Sequence, residues 1–467
     1  MYTEVFLSIK KCGQSYVSFV KSHILHIGQC GARTSLLVKN ILGSFFIKGW
    51  SAVVVLMMVP LTLKCLGEYR NGVWLTISSL LVWMDQMDIG LGNGLRNKLA
   101  EHMAHGEMKE AQKVVSSTMA MLICIAFPIM VILCLLVQYT DVYSFLNASP
   151  SIIPELRTAL LASVVLICIT FVLKFISNVY MALQLPAISN AIMACGQTIA
   201  LIGTALLLYF GEASFLNVVV VNVAAPMLTY LLAYPYTFYL RYPGLKPSLS
   251  LVNLHSALQL GNLGIKFFWI QIAALIQFMT ANLLISRFFT PAMVTPYQIT
   301  YRYISIVLVA FTIVCMPFWS ATTDAYERGD MEWIRKAHQK MGLLIFLFGV
   351  GITFMVAISP WVYSIWIGDE VVVPLGMTVL MALYIFLLII SMCYSYFLNG
   401  IGALRLQMYM TVMAVVFIPL AWWVSSVTHD INWFMLVMCL CNLPGIITNI
   451  IQFSKIMNGT ATGIWRI

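Results

Sequence analysis

Twelve predominantly apolar stretches run through this chain, and about 20 apolar residues is the length a helix needs to cross roughly 30 Å of hydrocarbon. They cover 41–63, 73–93, 114–137, 152–173, 184–209, 214–238, 263–286, 292–318, 340–360, 372–398, 407–427 and 431–453. In hydrocarbon every backbone N–H and C=O must find a partner within the protein, so stretches of this length are helices. None has the short alternating pattern of a membrane β-barrel. The sequence therefore predicts an all-α polytopic membrane protein with about 12 transmembrane helices. Composition agrees: 61% of residues are hydrophobic and 9% charged, where a soluble domain runs near a quarter charged. That excludes an ordinary soluble enzyme. The net charge of +9 includes no basic run in a polar context, which excludes a nucleic-acid partner.

The basic residues orient the chain. With the N-terminus inside, the cytoplasmic segments hold 19 of the 26 Lys and Arg, whereas outer loops and span ends hold Lys64, Arg70, Arg157 and Arg287. This one-sided pattern predicts cytoplasmic N- and C-termini, in keeping with an even number of spans. Residues 12–30 are too short and polar to span, with Lys21, His23 and His26 breaking their apolar core. Residues 1–38 thus read as a cytoplasmic N-terminal extension rather than a signal peptide. The 11 cysteines are scattered singly, mostly within spans, and make no disulfide or metal framework. P-loop, HExxH and GxSxG motifs are absent, so neither a nucleotide site nor a metal centre is expected.

A duplication organises the spans. EHMAHGEMKEAQK (101–113) and DAYERGDMEWIRK (324–336) superimpose after a shift of 223, aligning Gly106 with Gly329, Met108 with Met331 and Lys113 with Lys336. VYSFLN (142–147) matches VYSIWI (362–367), and Pro154 matches Pro374, with a slightly different shift. The expected domains are six-helix lobes at 39–245 and 246–467. Six spans are an even number, so both lobes enter the membrane in the same sense, as parallel repeats that rock about their interface.

Charges deep in the membrane usually mark a pathway or a paired site. Five qualify: Lys48 in span 1, Asp85 and Asp88 in span 2, Lys266 near the start of span 7 and Arg302 in span 8. Lys48, Lys266 and Arg302 suit a cavity that receives an anion such as a pyrophosphate. Asp85 and Asp88 share a helical face, are within reach of Lys48, and are candidates for H⁺ or Na⁺ coupling. Gly90–Gly94 (GLGNG) reads as a tight helix end, and Trp361, Trp366, Trp422 and Trp423 as an interfacial belt. Pro60, Pro128, Pro226, Pro317 and Pro419 lie inside spans, where they permit kinks.

KNILGSFFIKGWSAVVVLMMVPLTLKCLG (39–67), GVWLTISSLLVWMDQMDIGLGNGLRNKLAEHMAHGEMKEA (72–111), VTPYQITYRYISI (294–306) and PFWSATTDAYERGDMEWIRK (317–336) resemble the bacterial polysaccharide-biosynthesis membrane proteins. These are the O-antigen and oligosaccharide flippases of the multidrug/oligosaccharidyl-lipid/polysaccharide (MOP) exporter superfamily. The resemblance runs from about residue 39 to the C-terminus. It implies two six-helix lobes, an inner-membrane location, no enzymatic activity, and transfer of an undecaprenyl-pyrophosphate-linked glycan across the bilayer by alternating access. It also implies lipid-linked oligosaccharide as substrate and polysaccharide polymerase or ligase machinery as partner. It places Lys48 and Arg302 where cavity cations are expected. Two readings compete with it. A multidrug antiporter of the same superfamily calls for a more acidic cavity, and a membrane glycan polymerase or ligase calls for a large outer loop. Reporter domains active on only one side of the membrane test the topology. Fusions after Gly106 and Gly329 are expected to report the side of both termini and fusions after Gly211 the opposite side; agreement between Gly106 and Gly211 overturns it.

Overall fold

The computed structural model describes residues 32–85, 91–183, 185–253, 280–368, 370–403, 405–410 and 412–465. Lys266, Asp88, residues 1–31 and most of the expected span 263–286 lie outside these. The described chain is helical throughout, with no strand among the described residues. Eight of its helices are long and apolar enough to cross a membrane, and Val416–Thr428 is a shorter apolar helix.

Helix α1 (Ala32–Asp85) holds the first expected span and residues 73–85 of the second in two legs, 32–66 and 68–85, joined at Gly67 with φ 67° and ψ 173°. That backbone state disfavours any residue with a Cβ, so one glycine does what the sequence suggests a loop would do. Residues 91–94 open helix α2 (Leu91–His105), which corrects the reading of this glycine-rich run as a helix end. The helix then continues into the polar segment because polarity limits the span, not the helix.

After α2 come α3 (Met108–Tyr139), the short α4 (Val142–Leu146), α5 (Leu156–Leu173), α6 (Phe175–Ala182), α7 (Pro186–Phe210) and α8 (Phe215–Pro235). Residues 280–288 are helical and precede α9 (Pro291–Glu327), α10 (Met331–Ile367), α11 (Leu375–Ile401), α12 (Arg405–Met410), α13 (Val412–Thr428) and α14 (Ile431–Met457). The repeated loop motif makes the same turn twice. Gly106 has φ 76° and Gly329 φ 72°. The next N–H reaches back over the helix end in each, from Glu107 to His102 O at 2.9 Å and from Asp330 to Ala325 O at 2.8 Å, closing a Schellman-type cap. The helices that follow, α3 and α10, are alike in place: only 11% of each apolar window is buried, against 50% for Leu156–Ala182, so both lie at the periphery. The second sequence match differs in structure. VYSFL is the separate helix α4, capped by Asp141, whereas VYSIWI is the unbroken end of α10.

The turns define two ends of the bundle, named here for Gly67 and Gly106. At the Gly106 end, Leu91, Leu95, Val115, Phe175, Val179 and Phe238 form an apolar core drawn from residues 91–245 alone. At the Gly67 end, Leu66, Ile77, Val142, Ile153 and Phe215 form a second core. The largest core, with Phe311, Phe397, Phe417 and Phe434, takes in Val59, Leu63 and Leu75 of α1. Apolar packing thus joins the halves along α1 beside Gly67. A close approach lies at Gly72, where an added Cβ would collide with the carbonyl oxygen of Pro291. Gly72→Ala is expected to destabilise the protein by about 1–3 kcal/mol, the usual range for overpacking, read as a lower unfolding temperature. Gly351→Ala, with nothing within 4 Å, is the matched control and stays near wild type.

Candidate functional site between the halves

On α9, Pro291, Thr295, Gln298 and Arg302 recur every three or four residues and share one face. That face meets α1. Asn71 Nδ2 donates to Thr295 Oγ1 at 3.3 Å, and Thr295 Oγ1 to Glu68 O at 2.8 Å. Gln298 Nε2 donates to Asn282 Oδ1 at 2.7 Å, and Asn282 Nδ2 to Leu75 O at 3.2 Å. Nearer the Gly67 end, Asn147 Nδ2 donates to Ser286 O, Ser286 Oγ to Leu146 O and Arg287 Nη1 to Ser144 O at 2.6–2.9 Å. Trp366 of α10 donates its indole N–H to Leu56 O at 3.1 Å, and Arg302 Nη1 donates to Val55 O at 3.4 Å. The eight hydrogen bonds described between the helices of residues 32–235 and those of 280–465 engage 55–75 or 144–147, while the connecting segment 246–253 bonds to Gln112, Ser116 and Ser117 of α3. The seam between the helices of the two halves is thus closed beside Gly67.

Arg302 stands where the seal ends. It is half-buried, no described carboxylate pairs with it, and its bond to Val55 engages one of the five N–H donors of a guanidinium. Lys48 is exposed and has no described hydrogen-bond or ion-pair partner. It lies seven residues before Val55, two helical turns or about 10 Å along the same face of α1. Between them Ser51 presents a buried hydroxyl without a partner. A line of polar groups therefore leads from the exposed ammonium to the guanidinium. An apolar groove lined by Phe46, Ile47, Trp50, Ala191, Ala194 and Cys195 opens on nearly the opposite side of α1, since residues two apart on a helix do not share a face. Lys48 is thus turned away from that groove. Asp85 is the last residue of α1. Its side chain, Asp88 and Lys266 lie outside the described residues, so Arg302 and Lys48 are the two candidate charges that the structure relates.

Several site residues were not singled out from the sequence. Trp366, expected in an interfacial belt, is half-buried and bonds across the halves, whereas Trp361, at 68% exposed, fits a belt. Asn71, Asn282, Thr295 and Gln298 are uncharged, and a search for charged residues passes over them. Their signal was the spacing of Thr295 and Gln298 on the face of Arg302.

No family model matches the chain. A Salmonella typhi protein named as a candidate O-antigen transporter is 23% identical over 323 residues, 67% of this chain and 71% of that protein. An inward-facing multidrug-resistance MATE transporter of the MOP superfamily superimposes with a TM-score of 0.70 at 14% identity, covering 88% of this chain and 96% of that one. An outward-facing MATE transporter of the same superfamily gives 0.52, also at 14% identity, covering 89% and 96%. The chain therefore has the two-lobed fold of the MOP-superfamily transporters that its sequence resemblance implies, and the proteins it is similar to are named as transporters.

Proposed function

We propose that this protein is a flippase that moves undecaprenyl-pyrophosphate-linked oligosaccharide repeat units of O-antigen, capsule or exopolysaccharide from the cytoplasmic to the periplasmic leaflet of the bacterial inner membrane. The observation that carries this is the placement of two cations at the edge of the seal, Arg302 bonded to Val55 O and Lys48 two turns before Val55 on α1, with no described carboxylate paired to either. Guanidinium and ammonium groups are the usual partners of phosphate oxygens, the former with bidentate geometry. The likeness to a candidate O-antigen transporter supports the same substrate class.

The Gly106 end is the cytoplasmic one in this reading. Lys98, Lys109, Lys113, Lys246, Arg328, Arg335 and Lys336 gather there, as the positive-inside rule requires. With the halves sealed at the Gly67 end, the site faces the cytoplasm and receives a pyrophosphate head while the polyprenyl tail stays in lipid. The lobes 39–245 and 246–467 then rock, breaking the seal beside Gly67 and exposing the site to the periplasm. Lys266 adds a third cation, and Asp85 or Asp88 couples the movement to H⁺, Na⁺ or the membrane potential.

Flipping of a lipid-linked oligosaccharide into the outer leaflet of proteoliposomes tests the reading. Lys48→Ala and Arg302→Ala are each expected to slow flipping at least tenfold, the scale of a lost hydrogen bond to a charged group, with Arg302→Lys intermediate. Asp85→Asn is expected to abolish acceleration by an imposed ion gradient while leaving downhill flipping. Full activity in both alanine variants at equal expression overturns the cavity assignment, and wild-type export of cationic dyes without glycolipid flipping overturns the substrate class.

A further inference from the structure

Pro60 lies inside the first leg of α1. Proline has no N–H, so the carbonyl four residues earlier in a helix loses its intrahelical donor. That carbonyl is Leu56 O, the one that receives the Trp366 indole N–H from the other half at 3.1 Å. Pro360 in α10 creates the same defect at Val356 O. There the repair is local: Ser359 Oγ donates to Val356 O at 2.8 Å, within one helix and indifferent to how the halves are arranged. The repair of α1 depends on the halves being together.

We infer that Pro60, Leu56 and Trp366 form a latch that holds the Gly67 end shut: proline supplies an acceptor that only the closed arrangement satisfies, and Trp366 is the positioning residue that satisfies it. The latch rests on the rocking movement proposed above. It belongs to the conformational equilibrium rather than to substrate recognition, because neither side chain contributes charge to the site. An unsatisfied carbonyl at membrane depth is costly, so opening the Gly67 end carries a penalty set by one residue in each half.

A double-mutant cycle tests this on the full-length protein in lipid nanodiscs. Distance labels on non-natural residues replace Tyr209 and Val372, which are 81% and 84% exposed and belong to opposite halves at the Gly67 end. Trp366→Phe keeps the ring and removes the donor; it is expected to raise the open fraction roughly fivefold, the effect of one net hydrogen bond. Pro60→Ala returns an intrahelical donor to Leu56 O and is expected to raise the open fraction similarly. The double variant is expected to match either single variant, since each removes the same interaction. Equal, additive shifts overturn the latch, as does an unchanged open fraction in Pro60→Ala, which decides the matter even where Trp366→Phe fails to fold. A wild type that exchanges between two distances while no variant shifts them overturns the latch alone. One unvarying distance in every variant overturns the rocking movement and the latch together.

Discussion

A carbonyl in hydrocarbon has no water to turn to, so each must be satisfied by protein. This constraint accounts for the long helices and for much of the side-chain chemistry on them. Thr62, Thr118, Thr204 and Thr300 turn their hydroxyls back onto the preceding turn, closing their own hydrogen-bonding needs within the helix. Side chains of the second half find acceptors on α1 instead: Val55, Leu56, Glu68 and Leu75 all offer main-chain oxygens across the seam. The contact between halves is built from the same currency as the helices themselves.

The chemistry of that seam suits a contact that must break. A neutral hydrogen bond contributes about 1 kcal/mol net, and among the described residues no ion pair crosses between the halves. The described Lys–Glu ion pairs, Lys98–Glu101, Lys113–Glu110 and Lys336–Glu332, are each between residues three or four apart at the Gly106 end, and His102 contacts Glu107 across the Gly106 turn. Exposed pairs of this kind add little stability and tie nothing across the two lobes. The Gly67 end is thus held by several weak bonds and close packing.

The fold was largely legible because twenty-residue apolar stretches and a repeated loop motif are local signals. Both loop copies make the same glycine turn, for which Gly106 and Gly329 are required by their positive φ. Arg302 was legible as a charge in an apolar run, but its partner was not, since Val55 contributes only a carbonyl that any residue carries. Trp366 was misread because an indole near a helix end fits a membrane belt as well as a hydrogen bond to another half. Gly72 and Pro291 gave no signal: their close approach joins residues 219 positions apart in the sequence, and nothing in either local pattern announces the other.

The duplication also explains the geometry of the seam. A shift of 223 pairs Gly72 with Thr295 and Glu68 with Pro291. Gly72 packs on the backbone of Pro291, while Thr295 donates to the backbone of Glu68. Equivalent residues thus touch reciprocally, which is the signature of a two-fold interface, here between copies within one chain. The symmetry fails at the next turn. Arg302 pairs by the same shift with Ser79, whose buried hydroxyl is satisfied by Thr76 O at 2.7 Å. A guanidinium at membrane depth is costly, and the one described bond of Arg302 across the seam, to Val55 O at 3.4 Å, uses one of its five N–H donors. The carbonyls and uncharged side chains that close the seam thus come from both halves, as with Asn71 and Thr295, whereas the guanidinium stands in one copy alone.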